Sequence, residues 1–162
     1  MTERNISYTF TELPNREEEM MNSREDFSSS PAGAAAGCIA ALKILSTDPE
    51  QGEKMLRLLN PDVSNGALRL ARGQLLPSPW IIHSLFAGTS PENGYSIPGE
   101  KTIELSTNPY SGSEDSGSIK FFVKCSGADS PRPITVRRNT SGKWYPHEWS
   151  SLLVGIRKPA RD

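Results

Sequence analysis

Apolar residues fall on every second position of Ile119-Lys120-Phe121-Phe122-Val123-Lys124-Cys125. Ile119, Phe121, Val123 and Cys125 therefore share one face of a strand, and Lys120 and Lys124 take the other. Phe122 interrupts the alternation and implies partial cover on that second face. The run is followed by Ser126-Gly127-Ala128-Asp129-Ser130-Pro131-Arg132-Pro133. Gly127 permits a positive φ, and two prolines remove backbone donors and hold Ser130 and Arg132 extended, which predicts a rigid loop. Alternation resumes at Ile134-Thr135-Val136-Arg137-Arg138, Asn139-Thr140-Ser141-Gly142 has turn composition, and Lys143-Trp144-Tyr145 begins a returning strand. Strands joined this way can only be antiparallel, so the C-terminal third must build a hairpin sheet.

The preceding residues have helical spacing instead. Ala32 to Leu45 is alanine-rich, and its small residues allow close packing, which predicts a buried helix. Asp48-Pro49-Glu50-Gln51 reads as a helix start, with Asp48 as cap and Gln51 able to reach back, while Asn60-Pro61 stops that helix. Ser64 caps a third helix with Leu68, Leu70, Ala71 and Leu75 apolar, and Pro77 and Pro79 end it. Trp80 to Phe86 is a short apolar plug, and Thr102 to Ser106 is a strand with Ile103 and Leu105 on one side. Asn108 to Gly117 has the composition of a flexible loop. At the end, Leu152, Leu153 and Ile156 suit a short helix, with a final strand over Leu152 to Arg157 as the alternative. Helices first and strands after predict an α+β fold: about three N-terminal helices plus the plug, an antiparallel sheet of three to five strands, and a short C-terminal helix.

The front of the chain reads differently. Ile6 to Leu13 largely alternates, and is either an edge strand or a segment ordered by a partner. Asn15 to Pro31 is charged and then serine-rich, which predicts a mobile linker. Residues 1–31 are thus expected to be acidic and largely flexible, and residues 32–162 to form a single α+β domain. An apolar content of 35% is low for a globular chain and agrees with a polar front end.

Three strings resemble an uncharacterised bacterial domain family: GADSPRPITVRR, KWYPHEW and SSLLVGIRKP, with NPYS at Asn108–Ser111 and SLFAGTSPENGY at Ser84–Tyr95 upstream. The resemblance spans roughly Ala32 to Pro159. It implies helices followed by a small sheet and a bacterial source, and carries no activity and no catalytic residues.

A net charge of −1 argues against a dedicated nucleic-acid binder. The charge is nevertheless uneven. Residues 1–26 hold Glu3, Glu12, Glu17, Glu18, Glu19, Glu25 and Asp26 against Arg4, Arg16 and Arg24. Residues 132–162 hold Arg132, Arg137, Arg138, Lys143, Arg157, Lys158 and Arg161 against Glu148 and Asp162. The start lacks the apolar run of a signal peptide, and no stretch is long enough to span a membrane, so a cytoplasmic location is expected. Cys38 and Cys125 sit in apolar patterns, as buried thiols do in a reducing compartment, with a helix-to-strand disulfide between them as the less favoured alternative.

No Gly-x-Ser-x-Gly elbow, phosphate-binding loop or dinucleotide fingerprint occurs, and no cofactor is expected. Two histidines and two cysteines are too few and too scattered for a zinc site. His83 is either a base lining a pocket or a boundary histidine of the core. The strongest functional lead is the basic and aromatic cluster Asp129, Arg132, Arg137, Lys143, Trp144, Tyr145, His147, Trp149 and Arg157. If the indoles face outward beside the arginines, the cluster is a protein-docking surface. That makes the chain a non-enzymatic module, an adaptor or an immunity-type protein, with another protein as partner. Two alternatives stand: a small enzyme or ligand-binding domain with a pocket between helices and sheet, and, less favoured, binding of single-stranded nucleic acid. Arginine stems covering tryptophan edges on a solvated sheet would produce the same sequence without any of these functions.

Overall fold

The computed structural model describes residues 4–160. Glu3, Arg161 and Asp162 of the charge count lie outside the described residues. Five helices, α1 (Glu17–Ser28), α2 (Pro31–Leu45), α3 (Pro49–Leu59), α4 (Asn65–Leu75) and α5 (Trp80–His83), accompany strands β1 (Arg4–Thr9), β2 (Thr102–Thr107), β3 (Gly112–Ser113), β4 (Ser118–Val123), β5 (Arg132–Arg138) and β6 (Trp144–Glu148). The α+β reading holds, with six strands rather than three to five. The expected C-terminal helix is a single 3-10 turn at Ser150–Leu153.

α2 is the central packing element. Its alanines and glycines bring neighbours close, and every residue from Gly33 to Leu42 is buried. Ser30 caps it and Pro31 opens it. The approach of α3 is closest at Gly52, where a Cβ would lie 2.3 Å from the Leu45 Cα. Asp48 caps α3 as expected, but the Gln51 side chain does not close a capping box. Its Oε1 accepts the Glu17 N–H at 2.8 Å and so caps α1 instead.

That contact belongs to the largest departure from expectation. Asn15 to Pro31 is not a linker but holds helix α1. The helix is polar overall, yet Met20 and Phe27 stand seven residues apart on one face and are buried at 0% and 4% exposure. Phe10, just after β1, is buried and meets the Phe27 ring edge-on at 6.4 Å. Each such side chain contributes about 1.5–3 kcal/mol on burial. Three well-placed apolar residues thus outweigh a composition that reads as disordered.

The sheet runs β1-β2-β4-β5-β6, all antiparallel, and β3 folds back onto β4. Ile103, Leu105, Phe121, Val123, Ile134 and Val136 are buried against the helical layer. Among the described residues no helix covers the opposite face. The register aligns Ser106 with Phe122, Phe122 with Pro133, Lys120 with Thr135, and Arg137 with Tyr145, so these side chains share the open face.

Candidate functional site

The nine residues of the predicted cluster do not form one surface. Trp144 and Trp149 are 5% and 3% exposed and belong to the core, which corrects the expectation that both indoles face outward. The reason is strand phase. Trp144 pairs with Arg138, and both stand on the helix side of the β5–β6 hairpin, where the Arg138 guanidinium covers the indole at 5.6 Å. Trp149 follows β6 and leads the final 3-10 turn, whose Leu152 and Leu153 are also buried.

The arginines separate in the same way. Arg132 turns toward the C-terminal segment, where its Nη2 donates to the Gly155 carbonyl at 3.0 Å. Arg157 pairs with Asp129 at 2.9 Å. That bond to the Asp129 carboxylate raises the already high Arg157 pKa further. The Ser126–Pro133 loop is thereby strapped to the chain end. Arg157 N–H donates to Gly127 O at 2.8 Å, and Tyr95 Oη donates to Arg157 O at 2.6 Å. Gly127 is needed for space rather than for a positive φ. A Cβ there would meet Ile156 Cγ2 and Tyr95 Oη, both at 2.6 Å. Lys143, at the hairpin end, forms an ion pair with Glu25 of α1.

Arg137, Tyr145 and His147 remain exposed or half-exposed together. Tyr145 and His147 meet edge-on with ring centres 6.3 Å apart. His147 falls where the β5–β6 register shifts, Thr135 pairing with Glu148 and Val136 with Pro146, so it is the extra residue of a bulge. Partial burial and then the Arg137 charge lower its pKa, against a smaller opposing effect of Glu148. Glu148 is not hydrogen-bonded to His147. It accepts from Ser150 Oγ at 2.5 Å and from Ser150 N–H at 2.8 Å, and these bonds lower its pKa.

Lys120 and Phe122 complete this face and were missed as site residues. Lys120 Nζ lies 5.7 Å from the centre of the half-buried Phe122 ring. The signal lies in the sequence, since Phe122 occupies the outward phase of its strand, but an apolar residue in that phase equally implies cover. On the neighbouring strand Glu104 pairs with Lys124 at 3.5 Å. Among the described residues neither Lys120 nor Arg137 has an ion-pair partner. The result is a cationic and aromatic strip, Lys120, Phe122, Arg137 and Tyr145, on the side of the sheet away from the helices. Beside it a groove of about 600 Å³ is lined by Asn5, Ser7, Glu104, Ser106, Phe122 and Asp129.

Two open clefts lie where helices meet the β6 edge, one of about 610 Å³ lined by Asp62, Leu70, Tyr145, His147 and Glu148 and one of about 580 Å³ lined by Met21, Glu25, Leu58, Lys143 and Tyr145. Ile81, Ile82, Leu85 and Phe86 of the plug are buried, as are Trp144 and Trp149. His83 is half-buried, and burial followed by the Lys43 charge lowers its pKa. Both cysteines are free and buried. Burial, reinforced by the Glu148 charge, raises the Cys38 pKa strongly. Among the described residues no group of three or more His, Cys, Asp and Glu side chains is placed to hold a metal ion, and no helix is long and apolar enough to cross a membrane.

Fold and surface define a small α+β domain with one helix-covered and one open sheet face. The chain belongs to the family described as a domain of unknown function, DUF6935, whose model matches residues 12–160. The match begins ahead of α1, so the family unit includes the helix that composition reads as a linker. No curated protein and no solved structure matches the chain.

Proposed function

We propose that the protein is a non-enzymatic binding module whose docking surface is the open face of the sheet, and that its partner is another protein presenting acidic and apolar groups. The observation that carries this reading is the pairing of two unneutralised cations, Lys120 and Arg137, with two half-buried rings, Phe122 and Tyr145, on adjacent strands. Rigid aromatic anchors ringed by positive charge are the composition of interface hot spots, and a sheet holds them without loop-ordering cost. An antiparallel sheet tolerates one solvated face, but half-exposed phenyl and phenol rings there still have apolar area to bury. The strapped Ser126–Pro133 loop borders the same face and would set the edge of the footprint.

An adaptor or a toxin-blocking immunity protein in the bacterial cytoplasm fits a small domain of this design. The test is capture of partners from the native host with wild type and with the Lys120→Glu, Arg137→Glu double variant. Both side chains lie on the solvated face, so the variant should fold normally and lose its specific partner. Equal recovery by wild type and variant would refute the surface. Recovery of nucleic acid, with a steep loss on adding salt, would place the function in the less favoured class.

A further inference from the structure

The two edges of the sheet are unlike. β6 is closed against strand addition. The bond from Asn139 N–H to Lys143 O fixes the ladder phase, so the backbone groups of Trp144 and Pro146 point away from β5. Pro146 has no N–H to offer, and its carbonyl accepts from Asn60 Nδ2 at 3.2 Å.

β1 has neither proline nor cap. The bond from Phe10 N–H to Lys101 O sets its phase, so Tyr8, Ile6 and Arg4 bond to β2 while Asn5, Ser7 and Thr9 direct their backbone groups outward. The 2.8 Å contact between Thr9 Oγ1 and Thr102 Oγ1 agrees with this phase, because side chains approach most closely at non-bonded pairs. Asn5, Ser7 and Thr9 are exposed, and among the described residues no backbone hydrogen bond outside the strand ladders involves them.

We propose that β1 pairs antiparallel with β1 of a second copy of this chain, about a two-fold axis through Ser7. In that register Ser7 faces the partner's Ser7 and Asn5 faces the partner's Thr9, so all the outward groups bond, about six hydrogen bonds in all. A shift of two residues leaves some unpaired, and a shift of one sets outward groups against inward ones. Ile6, half-buried on the helix side, lies against the partner's Tyr8. The fit is also electrostatic. Arg4 is the only charge in the strand, and the two copies of it sit at opposite ends of the ribbon, about 20 Å apart along it. Each points to the end of the other strand, where Glu12 follows. No such self-match exists at β6, where Lys143, His147 and Glu148 crowd the edge. The axis is perpendicular to the sheet, so the two open faces become one continuous surface.

Sedimentation velocity over a wide concentration range tests the proposal. Wild type is expected to be dimeric. Ser7→Pro removes only an outward donor and is expected to raise the dimer Kd about ten- to a hundredfold, with unchanged far-ultraviolet circular dichroism. Asn5→Lys with Thr9→Lys sets lysines opposite each other and gives a second, independent disruption should proline disturb the strand. Ser7→Cys is expected to form a disulfide-linked dimer, since bonded pairs hold Cα atoms about 5.5 Å apart. A monomeric wild type, or a dimer that both the proline and the lysine variants leave intact, would overturn the proposal. The Lys120→Glu, Arg137→Glu variant should remain dimeric, so failure of the docking reading and failure of the dimer are separable.

Discussion

Trp144 and Tyr145 are consecutive on β6 and face opposite sides, so alanine at each position separates core from surface within one strand. The Trp144 indole is 5% exposed, while Tyr145 is half-buried on the open face. A buried aromatic removes roughly 150–250 Å² from water, worth about 4–6 kcal/mol at 25 cal/mol per Å² as an upper bound. Measured truncations of buried aromatics cost about 3–5 kcal/mol, and the Arg138 contact adds about 0.5–1. Trp144→Ala is therefore expected to cost about 4 kcal/mol and to lower Tm by roughly 10 °C in a chain of this size. Tyr145→Ala is expected to cost about 1 kcal/mol, and to weaken partner binding where Trp144→Ala acts only through folding. Urea unfolding followed by far-ultraviolet circular dichroism measures both. Equal costs, or a larger cost at Tyr145, would refute the assignment of strand faces.

Gly127→Ala forces a Cβ to 2.6 Å from Ile156 and Tyr95, and is expected to cost about 2–3 kcal/mol and to speed amide exchange at Arg157 as the strap loosens. Asn60→Ala leaves the Pro146 carbonyl without its donor, an expected loss of about 1–3 kcal/mol by urea titration. Deleting residues 1–30 removes Met20 and Phe27 from the core and should abolish the cooperative thermal transition, whereas a mobile linker would be lost without effect. His83 is held below its ordinary pKa of 6.5, so below about pH 6.5 the unfolded chain binds more protons there than the folded one. Stability should therefore fall as pH drops from 7 towards 5, and His83→Gln should flatten that decline in urea titrations.

Much of this arrangement is legible in the residues, and the misreadings share a physical cause. The alternation of Ile119 to Cys125, the Ser64 cap and the Asn139–Gly142 turn are local signals that local reading recovers. Helix α1 is not local. Its first turn is capped by Gln51 from α3, and its stability comes from Met20 and Phe27 meeting a core assembled elsewhere. The cluster of basic and aromatic residues misleads for a similar reason. Composition gathers Trp144, Arg137, Arg138 and Tyr145 within nine residues, but a strand sends neighbours to opposite faces. Trp144 enters the core beneath an exposed Arg138, while Arg137 and Tyr145 join Lys120 and Phe122 from a strand whose pairing the sequence only implies. Asp129 choosing Arg157 over Arg132 depends on where the chain end returns, and no local pattern encodes that.

The most direct test of the docking surface is site-specific photo-crosslinking, with a photoreactive phenylalanine analogue placed at Phe122, at Tyr145 and, at the end of α4, at the exposed Leu76. Adducts to one partner from positions 122 and 145, with none from 76, are the predicted result. Adducts formed from position 76 alone would contradict the account and move the functional surface to the helices.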